Sequence, residues 1–179
     1  MLFASSLAVS AVWGTNIWSL LANWTNEVFG FSSHIEERTT EQVVSEMADV
    51  DSDKVFSSLQ EALDAYGITE VKAPSVPDNF KVSHVEAGRD DAGLFFYACY
   101  SDGEALISVF YSELSESPST IFEKTNEPVE TYLINDMTLY YFSNENNNTI
   151  AWVTEHFECS ILGQISVDIL KTIAVSVTE

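Results

Sequence analysis

Residues 149–174 read TIAWVTEHFECSILGQISVDILKTIA. The runs NTIAWVTE (148–155) and EHFECSILG (155–163) are rich in β-branched and aromatic residues and share Glu155. They predict two strands with only a tight turn between them, hence an antiparallel pair. Gly163 ends the second strand. Ser166 is placed to cap a helix that opens with Asp168, where a carboxylate suits the positive end of the helix dipole. Val167, Leu170, Ile173, Ala174 and Val177 recur at three- and four-residue spacing and predict its buried stripe.

Working backwards from this module, the same composition repeats. FKVSHVEA (80–87), GLFFYACYS (93–101), EALISVFYSE (104–113), PVETYLI (128–134) and MTLYYFS (137–143) read as further strands. SDGE at 101–104, IND at 134–136 and SNENNN at 143–148 are turn compositions, and connections this short again imply antiparallel pairing. In the third of these runs Ala105, Ile107, Val109 and Tyr111 alternate with Leu106, Ser108 and Phe110. One face is wholly apolar and the other mixed, as in a sheet covered mainly on one side. Pro74 and Pro77 fix an extended approach to the first strand. Before them, DVDSDKVFSSLQEALDAYGI (49–68) predicts a helix capped by Asp51 or Ser52. Its apolar positions are Val55, Phe56, Leu59, Leu63 and Tyr66, and Gly67 ends it. The fold class is therefore α+β: an antiparallel sheet of about six or seven strands with one helix before it and one after.

The triplet Asp49, Asp51, Asp53 resembles the start of a calcium loop. Lys54 stands where the sharp turn needs Gly, however, and Gln60 where the loop closes with Glu. A helix N-terminus that attracts carboxylates accounts for the triplet.

At 179 residues, 46% of them hydrophobic, the chain has room for one domain with a real core and an appendage. Its 28 acidic and 7 basic residues give a formal charge of −21, which repels nucleic-acid phosphates and anionic membrane surfaces. Residues 1–24 carry no charge. They read either as part of a transmembrane helix with Trp13, Trp18 and Trp24 near the interface, or as a membrane-proximal amphipathic helix with Trp18, Leu21, Trp24, Val28 and Phe29 on its apolar face. Residues 25–50 form an acidic linker or helix, and 51–179 the α+β domain. Cys99 and Cys159 both fall on predicted strands. They are open to a disulfide in an exported domain, or to burial as free thiols.

Catalysis needs convergent groups, and the sequence offers none in a recognisable pattern. There is no Gly-x-Ser-x-Gly elbow, HExxH, P-loop or GxGxxG. His34, His84 and His156 sit in no motif, and the last two fall in predicted strands. The expectation is no enzyme, no cofactor and no metal site. Asn23-Trp24-Thr25 and Asn147-Asn148-Thr149 match the glycosylation sequon, and the second also makes a polar hairpin turn.

Four stretches carry a family resemblance. EALDAYGITEVKAPSVPDNFKVS (61–83), YSDGEALISVFY (100–111) and the closing NTIAWVTEHFECSILGQISVDILKTIAVSV (148–177) resemble domain-of-unknown-function family 4367. NIWSLLANWTNEVFGF (16–31) is similar to the segment that follows the membrane helix in many members. The resemblance implies an extracytoplasmic C-terminal domain of a Gram-positive membrane protein, often anti-sigma-factor-like. In those proteins a cytoplasmic sigma-binding region precedes the membrane helix, and no stretch of this sequence corresponds to it. The family has no catalytic residues to carry over.

The leading functional expectation is thus a non-enzymatic sensing or regulatory domain at the cell membrane, facing outward and tethered by its N-terminal segment. Its partner is an unknown protein or envelope ligand, and not nucleic acid. The alternative is a carrier for lipid or another hydrophobic ligand. Its cavity lining would come from the aromatic runs 95–97 and 140–142 and the closing strand, with Phe95, Tyr97, Tyr140, Phe142 and Trp152 as candidates. A module that only spaces a partner from the membrane is a third reading.

Overall fold

The computed structural model describes residues 21–24, 28–32, 56–90, 92–114, 121–123, 127–144 and 147–178. Two sheets and two helices are found among them. A small sheet pairs β1 (Leu21–Trp24), β2 (Val28–Ser32) and β6 (Ile121–Glu123), all antiparallel, in the order β1-β2-β6. The main sheet has seven antiparallel strands: β3 (Lys81–Asp90), β4 (Gly93–Ser101), β5 (Leu106–Glu113), β7 (Glu130–Ile134), β8 (Met137–Ser143), β9 (Asn148–Val153) and β10 (Phe157–Gly163). Its order is β3-β4-β5-β10-β9-β8-β7, so two meanders meet where β5 pairs with β10. Helix α1 (Leu59–Ala65) precedes the main sheet and α2 (Val167–Ser176) follows it. This is the expected α+β class.

The turn chemistry explains the hairpins. Asn135 and Asp136 both have positive φ (46° and 67°), as a two-residue type I′ turn requires, and these short polar residues tolerate it best after glycine. Asp102 accepts hydrogen bonds from the Glu104 and Ala105 amides at 3.0 and 2.8 Å and so holds the β4–β5 loop.

Both helices pack on one face of the main sheet. There Phe96 and Ala98 of β4, Ile107, Val109 and Tyr111 of β5, Cys159 and Ile161 of β10, and Ile150 of β9 are fully buried. The alternation expected in β5 is thus realised, with its apolar face turned to the helices. α2 begins at the expected cap: Ser166 accepts from the Ile169 amide, and Leu170, Ile173 and Ala174 are buried. Val167 and Val177 of the expected stripe are half-buried.

Two expectations require correction. Residues 21–24 and 28–32 are strands, not an amphipathic helix. Trp24, Val28 and Phe29 suit a pleated surface, and β6, about 90 residues on, supplies a pairing partner that local periodicity could not foresee. α1 starts at Leu59 with Ser58 as its cap, later than the sequence suggests. Ser58 accepts from the Glu61 amide at 3.1 Å, while the Glu61 carboxylate accepts from the Ser57 amide at 2.8 Å and from its hydroxyl. The helix ends as expected at Gly67, φ +71°, with the Ile68 amide closing back on the Leu63 carbonyl. Of the two readings open for the cysteines, the structure takes the second: Cys99 and Cys159 are buried free thiols. They project from opposite faces, and β5 stands between their strands. The remaining expectations for residues 1–20, the linker over 33–50 and the Asp49, Asp51, Asp53 triplet fall outside the described residues. Among those described, no helix is long and apolar enough to cross a membrane.

Candidate functional site

Residues 68–80 run as a strap across the helix-covered face. Their sequence, ITEVKAPSVPDNF, has too much proline for a helix and pairs in no sheet. Val71 and Pro74 are buried and anchor it from below. Its polar backbone is tied on each side. The Ala73 amide donates to Gln60 Oε1 on α1 at 3.0 Å, the Ser75 amide to Ser176 Oγ on α2 at 2.7 Å, and the Tyr111 hydroxyl to the Lys72 carbonyl at 2.9 Å. The strap therefore binds both helices and the central strand together.

Glu70 makes a further tie. Its carboxylate accepts from the His156 amide at 2.9 Å and lies 2.8 Å from His156 Nδ1, in the β9–β10 turn. Burial pulls the Glu70 carboxyl upward, but hydrogen bonds from Thr154 and His156 and the imidazolium charge outweigh it and hold the group below its ordinary value. His156 is raised, first by its hydrogen bond to Glu70 and then by that carboxylate's charge. The histidine read as a strand residue is thus a turn residue that fastens the strap.

Two hollows open along the strap. The more closed one, about 170 Å³, is bounded by Glu70, Lys72, Tyr111, Trp152, Asn135 and Thr178 among others. Tyr111 and Trp152 meet edge to face there, ring centres 6.1 Å apart. The volume is below the roughly 300–1,000 Å³ of small-molecule pockets. The more open one is a groove of about 530 Å³ between residues 75–78 of the strap and the Asp168, Ile169, Thr172 and Ile173 side of α2. Burial raises the Tyr111 phenol well above its ordinary value, with the charges of Cys159 and Tyr100 adding to it. It raises the Cys159 thiol similarly, with Glu158 and Glu70 adding. Neither group is prepared to act as a base or nucleophile near neutral pH. Among the described residues no cluster of three or more His, Cys, Asp or Glu is arranged to hold a metal ion.

The aromatic candidates separate by strand register. Trp152 pairs with Cys159, which pairs with Tyr111, all on the helix-covered face. Phe95 and Tyr97 oppose Ser112 and Phe110, and Tyr140 and Phe142 oppose Ala151 and Thr149, on the other face. Trp152 lines the closed hollow, while Phe142 packs with Ala151 in a small separate cluster flanked by Tyr140. The five lie on two sides of one sheet.

The strap, sheet and α2 are also the part of the chain that comparison with known families detects. A family model described as a domain of unknown function (DUF4367) matches residues 70–177. The chain belongs to the DUF4367 family. The DUF4367 match begins at Glu70, the residue that fastens the strap, and ends at Val177, the C-cap of α2. Helix α1 lies before it. Comparison with curated proteins and with solved structures finds no match.

Sequence reading missed Glu70, the strap ties and the groove. Glu70 and His156 are 86 residues apart, and no local pattern links them. The Ser-x-x-Glu spacing of Ser58 and Glu61 is a local signal for the true start of α1.

Proposed function

We propose that this chain is a non-enzymatic sensing and regulatory domain, held on the outer side of a cell membrane by its N-terminal segment and anti-sigma-factor-like in its attachment. It acts by binding an envelope ligand or a protein partner on its helix-covered side. One observation carries the reading: the polar side chains gathered there, Glu70, His156, Tyr111, Gln60 and Ser176, fasten a strap around an open groove. A surface built this way offers shape and recognition. It does not offer a nucleophile beside a base.

Fractionation tests the reading. The full chain should sediment with membranes and resist salt extraction, and protease added to intact cells should digest the domain. Recovery in the cytosolic fraction, protected from protease, would refute it. So would hydrolysis of an ester, peptide or glycoside substrate that one substitution abolishes.

A further inference from the structure

The open groove has walls of unlike character. Val76 and Pro77 of the strap face Ile169 and Ile173 of α2. Ile169 is 38% exposed, one of few large aliphatic side chains so placed among the described residues. Asp78 stands on the strap wall and Asp168 on the helix wall, and among the described residues no lysine, arginine or histidine lines the groove. Two lysines stand near these walls without lining them: Lys81 donates to the Asp78 carbonyl at 2.7 Å, and Lys171 lies over the Tyr132 ring, within electrostatic reach of Asp168. Ser75 and Thr172 complete the lining. The Ser75 amide and the Thr172 hydroxyl already have partners, Ser176 and the Asp168 carbonyl.

Charge restricts what can enter. A chain at −21 with a carboxylate on each wall repels an anionic headgroup or an acidic peptide, and draws in a cation. Shape restricts it further. From Asp168 to Thr172 is one helical turn, about 6 Å, which matches the roughly 6.6 Å between alternate side chains of an extended peptide. At about 530 Å³ the groove holds two or three side chains and not a folded domain.

We propose that this groove docks a basic peptide segment of a partner protein: an apolar side chain seated between Val76, Pro77, Ile169 and Ile173, with flanking lysines or arginines meeting Asp78 and Asp168. The proposal rests on the binding-module reading above and gives it a partner chemistry. The two fail separately, because fractionation tests the tether and titration of purified chain tests the groove.

The probe is a synthetic amidated peptide, Lys-Lys-Leu-Trp-Leu-Lys-Lys, titrated into the full chain at two salt concentrations. Its tryptophan environment is followed, along with the groove resonances by nuclear magnetic resonance. Binding is expected to weaken with salt. The double variant D78N/D168N should lower affinity about tenfold, the combined worth of two partly exposed ion pairs. The control double E86Q/E104Q, which removes the same charge from exposed positions elsewhere, should change it less than twofold. Ile169→Ser should weaken binding severalfold while leaving the circular dichroism spectrum intact. Equal losses from the two double variants would mean nonspecific attraction to an acidic surface and would overturn the proposal. So would equal binding of a peptide with Gly-Ser-Gly in place of the apolar centre.

Discussion

The two faces of the main sheet are built by different rules. On the helix-covered face every central position is apolar or aromatic, and Trp152, Tyr111 and Phe96 lie at its middle, essentially inaccessible to solvent. On the opposite face the central strands carry Ser112, Thr149, Glu158 and Ser160, all buried, beside the half-buried aromatics Phe95, Tyr97 and Phe110. The first face takes its stability from apolar area and shape. The second mixes small polar groups with aromatic rings, an arrangement that gains less from burial. The contrast teaches that fold specification is concentrated on one side, with the strap and its hollows.

The sharpest break in that contrast would come from Trp152→Ala. Removing a fully buried tryptophan should cost about 3–5 kcal/mol in urea unfolding. A cost near 1 kcal/mol would mean the helix-covered core is not the dominant one. Next is Gly163→Ala. A Cβ there would sit 2.5 Å from the Leu106 carbonyl oxygen, so β5 and β10 must shift apart, at about 1–3 kcal/mol. Unchanged stability would show that β5 and β10 can separate at this point without cost.

A matched pair of hydroxyl deletions compares the faces directly. Tyr111→Phe removes a buried hydrogen bond to the strap and leaves the Lys72 carbonyl short of a donor, costing about 1–2 kcal/mol. Tyr97→Phe on the opposite face removes only a contact with Ser108 at 3.2 Å and should cost about 0.5 kcal/mol. Equal costs would erase the distinction.

The smallest effect is the pH dependence of the Glu70–His156 tie. His156 is raised, so its contribution is complete below its ordinary value of 6.5 and fades as pH rises through the higher folded value. Glu70 is lowered, so its contribution is complete above 4.5 and fades as pH falls through the lower folded value. The stability difference between the parent and His156→Ala should therefore be largest between pH 4.5 and 6.5 and shrink on either side. A difference that keeps growing above pH 7 would contradict the pairing. The tie is largely solvent-exposed, so the difference stays small throughout.

Much of this was legible beforehand, for identifiable reasons. The run GLFFYACYS is β4 residue for residue, because β-branched and aromatic content bounded by turn residues is a local signal. The same holds for MTLYYFS, which is β8, and for the Ser166 cap. What the sequence concealed was relational. Whether Trp152 and Phe142 share a face depends on the register of β8, β9 and β10 together, and Ser75 meets Ser176 across 101 residues. The groove exists only because those distant segments come together. Read alone, Asp168 is merely a good first-turn residue of a helix.

The pairing of β5 with β10 has a consequence for synthesis. As the chain leaves the ribosome, β3, β4 and β5 can form their meander early, but the inner edge of β5 stays open until residues 157–163 emerge. The gap spans more than 40 residues, and an unpaired, largely apolar strand invites wrong partners meanwhile. The latest strand of this sheet in chain order is thus a central one. Losing residues 157–178 would take β10 from the middle of the sheet and α2 from its face, leaving two half-sheets with exposed edges and no strand pairing between them.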